Sequence, residues 1–135
     1  MNLHSLTPLM YTSRLKETVD WYVNELGFYC SDFVTDWGFA RVKLDNADIM
    51  FGLPNAHIPF EQARFTGSFY INTNDVDGWW MKLKDKCRIC YEPETFDYGM
   101  REFGVYDING YLLQFGQATQ TQIDNIEKNK HHTSR

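Results

Sequence analysis

Arg101-Glu102-Phe103-Gly104-Val105-Tyr106, Asp107-Ile108-Asn109-Gly110 and Tyr111-Leu112-Leu113-Gln114-Phe115 form the stretch on which the fold turns. Aromatic and β-branched residues mark two strands, and the Asp-x-x-Gly segment between them marks a turn. Upstream, Ser68–Thr73 reads as a strand, Val76–Lys86 as a helix and Ile89–Tyr91 as a further strand. Residues 67–117 therefore have the order strand, helix, strand, strand, strand.

The first half repeats that order. Leu6–Ser13 alternates as a strand, with Pro8 favouring an early or edge position because it lacks an N–H. Leu15, Val19, Tyr22, Val23 and Leu26 recur at three- and four-residue steps, and Gly27 follows as a helix stop. Phe28–Thr35, Phe39–Leu44 and Asp48–Leu53 read as strands, with a turn at Asp45-Asn46-Ala47. Thr7–Arg14 corresponds to Ser68–Asp75, and Met50-Phe51-Gly52 to Gln114-Phe115-Gly116, with a short insertion in the second copy.

The predicted class is α+β, with tandem βαβββ modules over residues 5–53 and 67–117, a connector at 54–66, and one domain across 1–118. Neither module buries its sheet face alone, so the pair is expected to curl into a cupped, partly closed mixed sheet lined by every second residue. The polar tail, 119–135, is expected to fray or to form a short helix over Gln122–Lys128.

Of the 135 residues, 43% are hydrophobic and 16% aromatic, which suits a globular core. A net charge of -5 and the lack of a basic stripe exclude a nucleic-acid surface, since Asp85 interrupts Lys82, Lys84, Lys86 and Arg88. That balance favours a basic or neutral ligand. No apolar run is long enough to span a membrane, Met1–Met10 does not read as a secretory signal, and Cys30, Cys87 and Cys90 cannot all pair within one chain. A soluble, cytoplasmic protein is the expectation.

Arg14-Leu15-Lys16-Glu17-Thr18-Val19-Asp20-Trp21-Tyr22 with Glu25-Leu26-Gly27-Phe28 resembles the opening helix of the glyoxalase, bleomycin-resistance and extradiol-dioxygenase superfamily. Tyr98–Phe103, the Asp107-Ile108-Asn109-Gly110 turn and Leu112–Gln117 resemble its closing hairpin. The resemblance implies paired βαβββ modules, often in homodimers. In metal-dependent members it implies four ligand positions, carried over here to Thr7, Met50, Ser68 and Gln114.

Imidazole nitrogen and carboxylate oxygen suit a divalent first-row metal, and those four residues supply neither. Gln114 offers only a neutral amide oxygen, too little with two hydroxyls to hold a metal and activate a substrate. No cofactor is therefore expected. Strand parity places His4 on the opposite face from Thr7, so a small slip in alignment supplies no imidazole.

Other constellations read as structural. Cys87-Arg88-Ile89-Cys90 has no second pair to complete a zinc site and is expected to be buried. His57 reads as a loop residue and His131-His132 as part of the solvated tail. No Gly-x-Ser-x-Gly elbow or Gly-rich phosphate loop is present. Arg101 and Phe103 share one strand face and Glu102 takes the other; the Arg101/Phe103 face is assigned to the cup.

Trp37, Phe39, Met50, Ser68, Tyr70, Tyr98, Arg101, Phe103 and Gln114 are the candidate ligand-binding residues, with Met100 nearby. Their rings and thioethers suit a small aromatic or cationic molecule, and Arg101 and Gln114 would supply polar recognition. Trp21, Trp79 and Trp80 belong to the helices as core or interface. Sequestration without catalysis, as in bleomycin-resistance proteins, is the leading reading. A metal-dependent lyase, isomerase or dioxygenase, and a dimeric interaction module without a ligand, are the alternatives.

Overall fold

Strand β1 (Leu9–Tyr11) opens a computed structural model that describes residues 1–57 and 59–133, the last three as backbone only. The side chains of His131 and His132 thus lie outside the described residues. Two compact units emerge, one of residues 1–65 with 108–110, the other of 66–107 with 111–135.

In the first unit, helix α1 (Leu15–Leu26) follows β1, then β2 (Tyr29–Val34), a 3₁₀ turn at Thr35–Trp37, β3 (Phe39–Leu44) and β4 (Ala47–Gly52). The sheet order is β1-β4-β3-β2, with β1 parallel to β4 and the other pairs antiparallel. Helix α1 buries Leu15, Val19, Tyr22 and Leu26, the periodic positions of the sequence, and ends at Gly27, whose φ of 82° is left-handed. Tyr22 is fully buried, its ring meeting Phe28 edge-on and Phe51 at a tilt.

A buried polar knot completes this unit. Thr12 Oγ1 donates to Asn109 Oδ1 at 2.8 Å, and Asn109 Nδ2 donates to Thr18 Oγ1 at 3.0 Å. The Thr18 hydroxyl donates to the Arg14 carbonyl at 2.6 Å, within the opening turn of α1.

The second unit repeats the order with β5 (Phe69–Asn72), α2 (Val76–Leu83), β6 (Arg88–Phe96), β7 (Met100–Tyr106) and β8 (Leu112–Ala118). Helix α3 (Gln120–Thr133) follows. The sheet order is β5-β8-β7-β6, with β5 parallel to β8. Asp75 caps α2, its carboxylate accepting from the Gly78 amide at 3.1 Å. One face of this sheet packs beneath α2, where Trp79 stacks on Phe115 and Trp80 meets Phe103 edge-on.

The internal repeat is visible in the ladders. Leu9 pairs with Met50 and Tyr70 with Gln114, the expected module correspondence read two residues along. Each sheet stays open with four strands, so hydrogen bonding does not close them into one partly closed sheet. Strand β6 runs past the expected end at Tyr91 to Phe96, because Pro93 falls where its register with β7 shifts and β6 is an edge strand. The tail helix runs longer than Gln122–Lys128. Among the described residues, no helix is long and apolar enough to cross a membrane.

Candidate functional site

The face of the second sheet turned away from α2 carries the unusual chemistry. Two ladder rungs define it: Tyr70, Gln114, Gly104 and Tyr91 on one, and Gly116, Glu102 and Glu94 on the next. Residues paired across a ladder project to the same side, so these groups share one surface.

Two glycines make room there for rings. A Cβ at Gly104 would stand 2.6 Å from the ring of Tyr91, and one at Gly116 would overlap the phenol end of Tyr70. Both rings lie across bare backbone and bring their hydroxyls to Glu102. Tyr70 donates to Glu102 Oε2 at 2.5 Å, and Tyr91 and Tyr98 donate to Oε1 at 3.0 and 2.5 Å. Glu102 is 4% exposed.

The network runs further. Ser68 Oγ donates to Gln114 Oε1, and Gln114 Nε2 donates to the Tyr91 hydroxyl at 2.8 Å. Donation thus runs from Ser68 through Gln114 and Tyr91 to the Glu102 carboxylate, whose oxygens accept. The bond to Glu102 is the main cause that pushes the Tyr98 phenol up to about 12. Burial raises Tyr70 and Tyr91 above the ordinary phenol value, and their bonds to Glu102 add to it; donation from Gln114 opposes the rise at Tyr91.

Tyr98 stacks on Phe96 with the ring planes 2° apart. Its turn is fixed by Gly99, whose φ of 88° suits glycine and whose carbonyl accepts from the Thr119 amide at 2.9 Å. Thr119 in turn caps α3 through the Gln122 amide.

The four carried-over metal positions do not fit a metal. Ser68 and Gln114 bond each other, and Gln114 spends its N–H on Tyr91. In the first unit Thr7 offers a single hydroxyl, which helps to hold the Asp48 carboxyl below its usual value. Met50 offers only a thioether and lies opposite Arg41, whose guanidinium is paired with Asp48 at 2.5 and 2.8 Å. Among the described residues no group of three or more His, Cys, Asp or Glu side chains is placed to hold a metal. His4 precedes β1, so strand parity does not extend to it.

Of the sequence candidates, Ser68, Tyr70, Tyr98 and Gln114 come together around Glu102. Arg101 and Phe103 do share a face, but it is the helix-covered one, which corrects their assignment to the open surface. Phe103 is fully buried against Trp80 and Phe115, and Arg101 pairs with Asp77 of α2 at 2.9 Å. Arg101 also borders a shallow hollow of about 500 Å³ on that side, with Trp80, Lys84, Asp85, Ile89 and Glu92.

Trp37, Phe39 and Met50 belong to the first unit: Trp37 is 80% exposed on its 3₁₀ turn, and Phe39 and Met50 are half-buried on the strands. Cys90 is exposed and Cys87 half-buried, not buried as expected, and no disulfide joins them. Tyr91 and Glu102 are the residues that sequence reasoning missed. Their signal was the alternation of Glu102 and Gly104 with the apolar Phe103 and Val105, since the apolar parity is the one a helix covers.

These features define a class: tandem βαβββ modules, the second presenting a tyrosine-ringed carboxylate linked by hydrogen bonds to Gln114 and Ser68. The chain belongs to the glyoxalase/bleomycin resistance protein/dioxygenase superfamily, whose family model matches residues 3–115. Similar solved structures include a bleomycin resistance determinant encoded on transposon Tn5, at 18% identity and TM-score 0.70, covering 86% of this chain and 98% of that one. TioX from Micromonospora sp. ML1 is 18% identical with TM-score 0.67, covering 84% of this chain and 97% of its own. A lactoylglutathione lyase from Agrobacterium tumefaciens is 15% identical with TM-score 0.67, covering 87% and 96% respectively. At these identities the likeness shows the fold alone. Curated protein sequences give no significant match.

Proposed function

We propose that the protein binds and sequesters a small aromatic or cationic molecule without a catalytic metal, in the manner of bleomycin-resistance proteins. The observation that carries this reading is the hydrogen-bonded set of Ser68, Gln114, Tyr91 and Glu102, in which the second-module metal positions are committed to an organic surface. Exposed Tyr70 and Tyr98 rings on that surface offer stacking and cation–π contact to a guest. The protein acts as a cytoplasmic homodimer, with antibiotic resistance as one outcome of sequestration.

The test is a thermal-shift screen of the purified chain against basic and aromatic compounds, a bleomycin among them, paired with elemental analysis. Stabilisation of several degrees by at least one compound, retained after dialysis against a chelator, is the expected result. Stoichiometric Ni, Zn, Fe or Mn, with compound binding lost on its removal, would refute the metal-free reading.

A further inference from the structure

We infer that the Tyr70, Tyr91, Tyr98 and Glu102 cluster recognises the head group of an N-alkylated ammonium compound, a cation with few or no N–H donors. This rests on the second sheet's open face being the ligand surface and names the chemistry that surface selects.

Charge is the first argument. Among the described residues Glu102 has no Lys, Arg or His partner, and its three hydrogen-bond donors are neutral phenols. Arg101, next in sequence, points to the other face and pairs with Asp77. Glu94 stands directly opposite Glu102 in the ladder and adds a second negative charge. Like charges facing each other across strands are unfavourable, and a cation received between the rings relieves that repulsion.

The rings supply the second argument. Tyr70 and Tyr98 are 40% and 57% exposed, and Phe96 backs Tyr98 by stacking while Tyr91 meets Phe96 edge-on. A phenol that donates to a carboxylate keeps more electron density on its ring. Its face therefore attracts a cation more strongly than that of a solvated tyrosine.

Donor counting decides which cation. A carboxylate has about four acceptor positions, and Tyr70, Tyr91 and Tyr98 occupy three of those on Glu102. A primary ammonium brings three N–H groups, and the Glu102 carboxylate has acceptor room for about one of them unless a phenol is displaced. An N-alkylated head group needs no such room, so it gains charge attraction and ring contact while the tyrosine bonds stay intact.

Calorimetric titration of the full chain with choline, ethanolamine and 3,3-dimethyl-1-butanol tests the inference. The three share a hydroxyethyl arm, and the last is the neutral isostere of the first. Choline should bind about tenfold tighter than either. The exposed Glu94→Gln variant should weaken choline by about threefold while leaving the neutral isostere unchanged. Glu102→Gln should abolish the preference; should that variant fail to fold, Glu94→Gln and the choline–ethanolamine comparison carry the test alone.

Equal binding of choline and its neutral isostere, or ethanolamine matching choline, overturns the inference. So does a thermal-shift screen that yields hits while choline is silent, and in that case the binding function stands. A screen in which every compound is silent overturns both.

Discussion

Glu102 on β7 pairs in register with Gly116 on β8, and the space that a Gly116 side chain would fill holds the phenol of Tyr70 as it donates to that glutamate. A residue without a side chain thus sets the position of a charged one. Gly116→Ala should displace Tyr70 and cost about 1–3 kcal/mol. Tyr70→Phe should cost about 1–2 kcal/mol through the lost bond. Because the added methyl and the phenol oxygen compete for one space, the double variant should lose less than the sum of the singles. Urea denaturation of the four proteins reads this, and strict additivity would show that the two residues are independent.

The tyrosine cluster makes stability sensitive to alkali. The three phenols titrate above their unfolded value of 10, so their contribution is complete below pH 10 and declines as pH rises through the folded values, about 12 for Tyr98. Wild-type protein should therefore lose stability between pH 10 and 12 more steeply than Tyr98→Phe. Near-ultraviolet titration should show phenolate appearing earlier in Glu102→Gln than in wild type. Superimposable titration curves would mean that Glu102 does not hold these protons.

How much of this was legible in the sequence depends on which neighbours each residue answers to. Helix α1 and strand β3 take the expected bounds, because Leu15–Leu26 carries its own apolar period and left-handed stop and Phe39–Leu44 its own alternation. Strand β6 outran its expectation because tolerance of Pro93 depends on edge position and a register shift, both set by partners distant in the chain. At the site, alternation sets Arg101 and Phe103 on one face and Glu102 on the other, but it does not say which of the two faces α2 covers. That choice is made by Trp79 and Trp80, which need Phe115 and Phe103 beneath them. Glu102 is thereby left with the tyrosines.

Asn109 sits in the Asp107–Gly110 turn, yet its amide serves Thr12 and Thr18, both fully buried. Asn109→Ala takes one partner from each of two buried hydroxyls, which keep their contact with each other at 3.1 Å and their bonds to the Arg14 backbone, and should cost about 1 kcal/mol in chemical denaturation. The loss should appear as a lower midpoint with an unchanged slope, since no additional surface is exposed. A change within about 0.5 kcal/mol, the range of ordinary surface substitutions, would show that the knot contributes nothing to stability.

The first sheet answers the second with a charge pair rather than a tyrosine ring. Arg41 holds Asp48 in a two-pronged pair at 2.5 and 2.8 Å, with each side chain about one-third exposed or less. Its hydrogen bond, foremost, draws the Asp48 carboxyl below the usual 3.8. A depressed folded value stabilises above the unfolded one and is lost as pH falls through the folded one, so this contribution is full at neutral pH and fades below about 4. Asp48→Asn should lower stability modestly at pH 7 and flatten the acid limb of the stability profile. An acid limb as steep in the variant as in wild type would assign acid sensitivity to other carboxylates.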